Sequence, residues 1–142
     1  MRDKNIYQLI GGADVIKKLV DNFYDEMDRC ENVRAIRRLH PKDLKDSKLK
    51  LFLFLSGWFG GPDLYVEKYG HPRLKRRHMP FSIGTEEANQ WIYCMEKAVK
   101  ELNIDNILQD HLMDIFKRMA NHLVNDGTKI TFPNRTNDKK KL

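Results

Sequence analysis

The chain has 142 residues, 41% of them hydrophobic, which suits one compact core and requires no second domain. No stretch of eighteen or more uncharged apolar residues occurs, and the opening MRDKNIYQLIGG lacks a secretory apolar segment, so membrane insertion and export are not indicated and the expected location is the cytoplasm. Twenty-six basic against twenty acidic residues give a formal charge of +6, compatible with nucleic acid, an acidic partner or an anionic cofactor. Cys30 and Cys94 stand far apart in sequence with no CxxC pairing, which argues against a disulfide framework or zinc knuckle.

The expected elements are helices. A first helix opens after Gly11-Gly12, its stripe being Ile16, Leu19, Val20, Phe23 and Met27, flanked by Tyr24. A second follows His40-Pro41. Its nearly continuous apolar run from Leu51 to Leu55 predicts burial on more than one side, and Gly60-Gly61-Pro62 ends it. Residues 60 to 84 read as a long irregular connection, broken by Gly60, Gly61, Pro62, Gly70, Pro72, Pro80 and Gly84 but rich in aromatic and apolar residues. Connections of that length in a compact domain usually carry function. A third long helix is expected from Thr85 as cap, with Ala88, Trp91, Ile92, Met95, Ala98, Val99 and Leu102 inward. After a turn at Asn103, Ile104, Ile107, Leu108, Leu112, Ile115, Phe116, Met119 and Leu123 predict the last helix. Asp126-Gly127 closes a domain of residues 1–126. Residues 127–142 read as a polar, basic, mobile tail.

Five histidines are candidate ligands, and for most of them a solvated or hydrogen-bonded side chain explains the pattern. His40 and His71 precede prolines and so sit at turns or caps. His111 and His122 share the edge of the last stripe. His78 differs, because it ends the basic stretch at residues 73 to 77 and is followed at once by Met79, Phe81 and Ile83. An imidazole beside an apolar wall can offer a neutral nitrogen to a metal. No acidic or sulfur ligand lies at zinc spacing around it, so a metal carried by an organic macrocycle fits better than a bare ion. Haem meets these terms: Leu51, Leu55, Phe81, Ile83 and Trp91 suit its faces, and Arg73, Lys75, Arg76 or Arg77 its propionates. The basic cluster is equally readable as a solvated face or a nucleic-acid patch.

GWFGGPDLYVEKYGHPRLKRRHMPFSIG, followed by QWIYCM, closely resembles the group II truncated haemoglobins, with their Gly-Gly-Pro, Tyr-Val-Glu, Gly-His-Pro, Arg-His before apolar-Pro-Phe, and tryptophan in the next helix. The likeness runs from about Ile6 to about Asp126 and includes the early Gly-Gly, Phe23-Tyr24 and His40-Pro41 through Asp43-Leu44. It implies an all-α truncated globin fold, a two-over-two helical sandwich around haem b, with His78 as the proximal iron ligand. Tyr24 matches the distal tyrosine that donates to bound dioxygen, and Trp91 the tryptophan whose indole N–H faces the ligand. His40 stands where relatives carry tyrosine, phenylalanine or histidine. Ser47 and Leu51 match two distal-helix positions and depart from a distal histidine or glutamine, which leaves ligand stabilisation to Tyr24, Trp91 and His40. Arg77 and Tyr65 match residues near the propionates. The haem-contacting set implied is His78, Arg77, Tyr65, Leu51, Leu55, Leu74, Phe81, Ile83 and Trp91.

The resemblance implies reversible binding of dioxygen and other diatomic ligands by a monomer or homodimer, and it displaces nucleic acid as a partner. Its alternative is a peroxidase-like or nitric-oxide-oxidising enzyme. The chain has no Gly-rich dinucleotide fingerprint, so sustained nitric oxide turnover would need an external reductase.

Overall fold

The structure, a computed structural model, describes residues 4–125. The proposed tail, residues 127–142, lies outside them. Within them the chain forms α1 (Ile6–Ile10), α2 (Ala13–Arg29), a 3-10 turn (Glu31–Val33), α3 (Arg34–Arg37), α4 (Lys45–Trp58), α5 (Leu64–Tyr69), α6 (Leu74–His78), α7 (Thr85–Lys100) and α8 (Asn106–His122). No strand occurs among the described residues, and no described helix is long and apolar enough to cross a membrane.

Two helix pairs make the body: α2 packs on α4 and α7 on α8, and α2 also lies against α7. The inward stripe of α2 is Ile16, Leu19, Val20, Phe23, Tyr24 and Met27, all buried. On α7 the buried set is Ala88, Cys94, Met95, Ala98 and Val99, and on α8 it is Leu112, Met113, Phe116 and Ala120. Apart from Ala88 and Ala120, which line a cavity, these residues interlock in one apolar core, where burying a single large side chain contributes about 1.5–3 kcal/mol. Every residue from Leu51 to Phe54 is partly buried and Leu55 fully so, as the unbroken apolar run of α4 predicts.

Several boundaries differ from the sequence-based expectation. The cap of α7 is Gly84, not Thr85; its amide donates to the Glu87 carboxylate at 2.8 Å, so the side chain three residues into the helix satisfies the cap. α8 opens after Asp105, which accepts from the Leu108 amide at 2.9 Å, so Ile104 precedes the helix. Ile107 is 82% exposed rather than inward, because in the first turn of α8 it falls outside the arc facing α7. The segment expected to be irregular, apart from a basic stretch able to be helical from Pro72 onward, holds two short helices, α5 and α6.

The N-terminal helix was also unanticipated. Asn5 caps α1 by accepting from the Gln8 amide, while Gln8 accepts from the Asn5 amide. Asn5 Nδ2 further donates to the Gly60 carbonyl at 2.9 Å, and the Tyr7 amide to the Phe59 carbonyl at 2.9 Å. This docks α1 on the end of α4. A Cβ on Gly61 would fall inside contact distance of the Tyr7 ring, which explains a second glycine in Gly60-Gly61. Gly61→Ala is therefore expected to cost about 1–3 kcal/mol by overpacking and to lower the melting temperature by several degrees. The same change in a Tyr7→Ala background should cost much less; equal losses in thermal unfolding would show that the ring does not set the glycine requirement.

Candidate functional site

One cavity of about 1030 Å³ opens between α4, α5, α6, α7 and the end of α8, at the upper end of the roughly 300–1,000 Å³ typical of organic-ligand pockets. Its walls bring together Tyr24, His40, Ser47, Leu51, Tyr65, Leu74, Arg77, His78, Phe81, Ile83 and Trp91, residues scattered over most of the chain. Leu55 does not line it. That residue is fully buried in the apolar core, because the stripe that presents Ser47 and Leu51 to the cavity has passed into the α2 contact one turn later.

His78 ends α6 and is half-buried. Its Nδ1 lies 2.7 Å from the Leu74 carbonyl oxygen, one helical turn back. A carbonyl can only accept, so Nδ1 carries the proton and the neutral ring's lone pair sits on Nε2. Burial lowers the pKa of this histidine, and the Leu74 hydrogen bond opposes that only in part, so the ring is neutral at pH 7. A neutral imidazole whose tautomer is fixed by a backbone carbonyl is the usual arrangement of a metal-ligating histidine. Among the described residues no group of three or more His, Cys, Asp or Glu side chains is placed to hold a metal ion, so a metal at His78 must bring most of its own ligands.

Tyr24, 5% exposed, lines the cavity from α2, and burial pushes its phenol well above the usual range, keeping the hydroxyl protonated. The His40 ring lies 5.7 Å from the Tyr24 ring, edge to face, and His40 Nδ1 donates to the Ile36 carbonyl at 2.9 Å. Phe23 packs between two cavity residues, with its ring 4.8 Å from Tyr24 and 5.2 Å from Trp91. Two side chains with polar hydrogens are thus held in register by an apolar ring that lies entirely in the core.

Lys50, Arg73, Arg76 and Arg77 contribute cationic side chains to the cavity lining. Arg77 Nη2 donates to the Tyr69 and His71 carbonyls at 3.1 and 3.2 Å, and its guanidinium lies 5.6 Å from the Tyr65 ring centre. Arg77 thereby closes the loop before α6 as well as facing the cavity.

Several wall residues escaped the sequence reading. Phe54 lies three residues after Leu51, and Tyr69 four after Tyr65, spacings that share a helix face. Met119 and Leu123 were expected in the last stripe as core only, yet they line the cavity with Ala120. Asn125 gave no local signal at all. Its side-chain carbonyl accepts from the Ile83 amide at 3.0 Å, its backbone amide donates to the Ile83 carbonyl at 2.7 Å, and its Nδ2 donates to the His78 carbonyl at 3.4 Å. The segment after His78 is thereby tied to the end of α8.

A family described as bacterial-like globin matches residues 5–125. The chain belongs to the bacterial-like globin family. It is 34% identical over 119 residues to the group 2 truncated haemoglobin of Bacillus subtilis, covering 84% of this chain and 87% of that one. Among solved structures it resembles the cold-adapted truncated haemoglobin of Pseudoalteromonas haloplanktis, at 38% identity and a TM-score of 0.84 over 87% of this chain and 99% of the other. It also resembles the group II 2-on-2 haemoglobin of Agrobacterium tumefaciens, at 35% identity and a TM-score of 0.85 over 89% and 98%. The fold is that of the truncated two-on-two globins, and membership supports a haem-binding, oxygen-binding protein.

The cavity of this globin fits such a group on its own terms: a large apolar slot, a neutral imidazole on one wall and cations in its lining. The pH dependence follows from His78. Its folded pKa lies below the ordinary 6.5, so the native state resists the proton that the unfolded chain accepts. The penalty is absent above pH 6.5 and grows as pH falls beneath it. Denaturation of the haem-free chain should therefore show stability falling below pH 6.5, with that part of the slope removed in His78→Gln; an unchanged slope in the variant would assign it to other groups.

Proposed function

We propose that this globin holds haem b through His78 Nε2 and binds dioxygen and other diatomic ligands reversibly in the space faced by Tyr24, His40, Trp91, Ser47 and Leu51. The observation that carries the reading is the neutral imidazole, fixed by the Leu74 carbonyl, in the wall of a cavity that Tyr24 and Trp91 also line. When bound, haem supplies an iron centre that takes a diatomic ligand. Neither Cys30 nor Cys94 lines the cavity, which favours a haem held without thioether bonds. Leu51, Leu74, Phe81 and Ile83 provide apolar walls that exclude water, and Arg73, Arg76 and Arg77 suit the propionates. The Tyr24 hydroxyl, kept protonated by burial, and the Trp91 indole N–H are donors for a ligand that gains partial negative charge. Ser47 and Leu51 leave the distal helix without an imidazole or amide gate. The setting is cytoplasmic, as a monomer or homodimer.

A second reading, peroxidase-like or nitric-oxide-oxidising catalysis, is favoured by the same donors, which can polarise a peroxide as well as dioxygen. Lys50, Arg73 and Arg76 at the cavity offer an acidic external reductase a place to approach.

His78→Ala is expected to abolish stable haem binding, read as loss of the absorption spectrum of the reduced and carbon-monoxide forms after hemin is supplied, with helical circular dichroism retained. A normal five-coordinate ferrous spectrum in the variant would show that another residue ligates. Removing a hydrogen bond to a partly charged partner costs about 1.5–3 kcal/mol, so Tyr24→Phe should speed dioxygen release roughly ten- to hundredfold. Trp91→Phe should speed it too. Stopped-flow rates unchanged in both variants would remove these residues from the ligand's surroundings.

A further inference from the structure

We propose that Trp58 is the surface end of an aromatic relay through which oxidising equivalents from hydrogen peroxide leave the haem cavity and oxidise a phenolic donor at the protein surface. The proposal rests on the haem reading above.

Trp58 closes α4 and is 38% exposed. One turn earlier on the same helix Phe54 lines the cavity, and the two rings stack with centres 5.4 Å apart and planes 23° from parallel. A second route converges on the same indole: Trp91, also in the cavity wall, lies 5.7 Å from Phe116, which lies 6.0 Å from Trp58. The core residue Phe116 is fully buried, so this second route is shielded from water until it reaches Trp58. Indole gives up an electron more readily than phenyl, so the two phenylalanines act as bridges and the tryptophans as stations.

Tyr65 and Tyr69 are the competing exits, since both line the cavity and Tyr65 lies 6.3 Å from Phe54. Each is covered by positive charge. The Arg77 guanidinium lies 5.6 Å from the Tyr65 ring centre, and Lys50 and Lys68 lie 5.9 and 5.6 Å from that of Tyr69. A cation over a ring stabilises its electrons and makes their removal harder. Among the described residues no cation is stacked over Trp58. Charge placement thus directs the electron hole away from the tyrosines and toward the exposed indole.

Hydrogen peroxide takes up two electrons and two protons and yields two water molecules. Each of the two oxidising equivalents draws one electron from Trp58 toward the haem while the indole N–H proton passes to water. The neutral indolyl radical then takes one hydrogen atom from a phenol, restoring Trp58. Two phenols become two phenoxyl radicals per peroxide.

The test is to treat the haem-loaded full chain with hydrogen peroxide in the presence of 2-methyl-2-nitrosopropane, a nitroso radical trap, and to map the adduct by peptide mass spectrometry. The expected result is an adduct on Trp58, lost in Trp58→Phe, whose haem spectrum and carbon monoxide binding stay unchanged while phenol oxidation slows. Phe54→Leu, with Trp58 intact, should lower the Trp58 label per haem bound. A normal haem spectrum with the label on Tyr65, Tyr69 or Trp91 and none on Trp58 would overturn the relay alone. A chain that takes up no haem would overturn the relay and the reading beneath it together.

Discussion

Everything the cavity can do depends on the contact between the His78 ring and the Leu74 carbonyl. It decides which nitrogen is protonated, holds the ring against rotation and leaves the other nitrogen as the electron-pair donor. α6 alone could not maintain this. Five residues are far below the roughly 12–15 at which an isolated helix becomes even marginally stable, and Arg73 at its start has a left-handed backbone, an unfavourable conformation for a residue with a Cβ. The helix is held from both ends by tertiary contacts: Arg77 reaches back to the Tyr69 and His71 carbonyls, and Asn125 grips Ile83 and the His78 carbonyl. The turn that carries His78 is therefore built by its surroundings.

A similar dependence governs the wall that carries Tyr24 and Trp91. Tyr24 is buried deeply enough that ionisation of its phenol is suppressed. Phe23, fixed in the core, keeps the Tyr24 and Trp91 rings at set distances from itself. What the core contributes to function is this spacing. The thiols take no part in it: burial, Glu26 and Cys30 push the Cys94 thiol up to about 12, and a thiol that stays protonated is a poor nucleophile and a poor ligand.

The long helices were legible because their stripes repeat over about three turns, enough for the period of Ile16 to Met27 or Ala88 to Val99 to stand out. α1 and α5 were not, since five or six residues show no period; the Asn5 and Gln8 capping pair was the available cue for the first. His78, Tyr24 and Trp91 were legible as a set through the density of the family motif, whereas periodicity alone would have left the latter two as ordinary core or edge residues. Leu55 stands in the core and not in the cavity wall, a distinction that a one-dimensional stripe does not reveal. Asn125 lay beyond sequence reasoning for a different reason, as its partners are more than forty residues away and its value exists only once α8 has returned beside the loop after His78.

Charge supplies a last constraint on what the cavity holds. Arg73, Lys75, Arg76 and Arg77 crowd the start and body of α6, and none forms an ion pair with a described carboxylate. The positive end of the helix dipole lies at that start, so it adds to their mutual repulsion. The chain tolerates this beside a slot whose walls include Leu51, Phe54, Leu74, Phe81 and Ile83, with Glu87 as a carboxylate in the lining. An occupant that relieves the repulsion is apolar across its faces and anionic at one edge, and the neutral ring of His78 can in addition offer its Nε2 lone pair to a metal. A plain lipid anion meets the first two conditions and fails the third, and a hydrated metal ion does the reverse. A metallated macrocycle with carboxylate side arms meets all three, so the cations and the histidine that α6 carries together fit the haem proposed above.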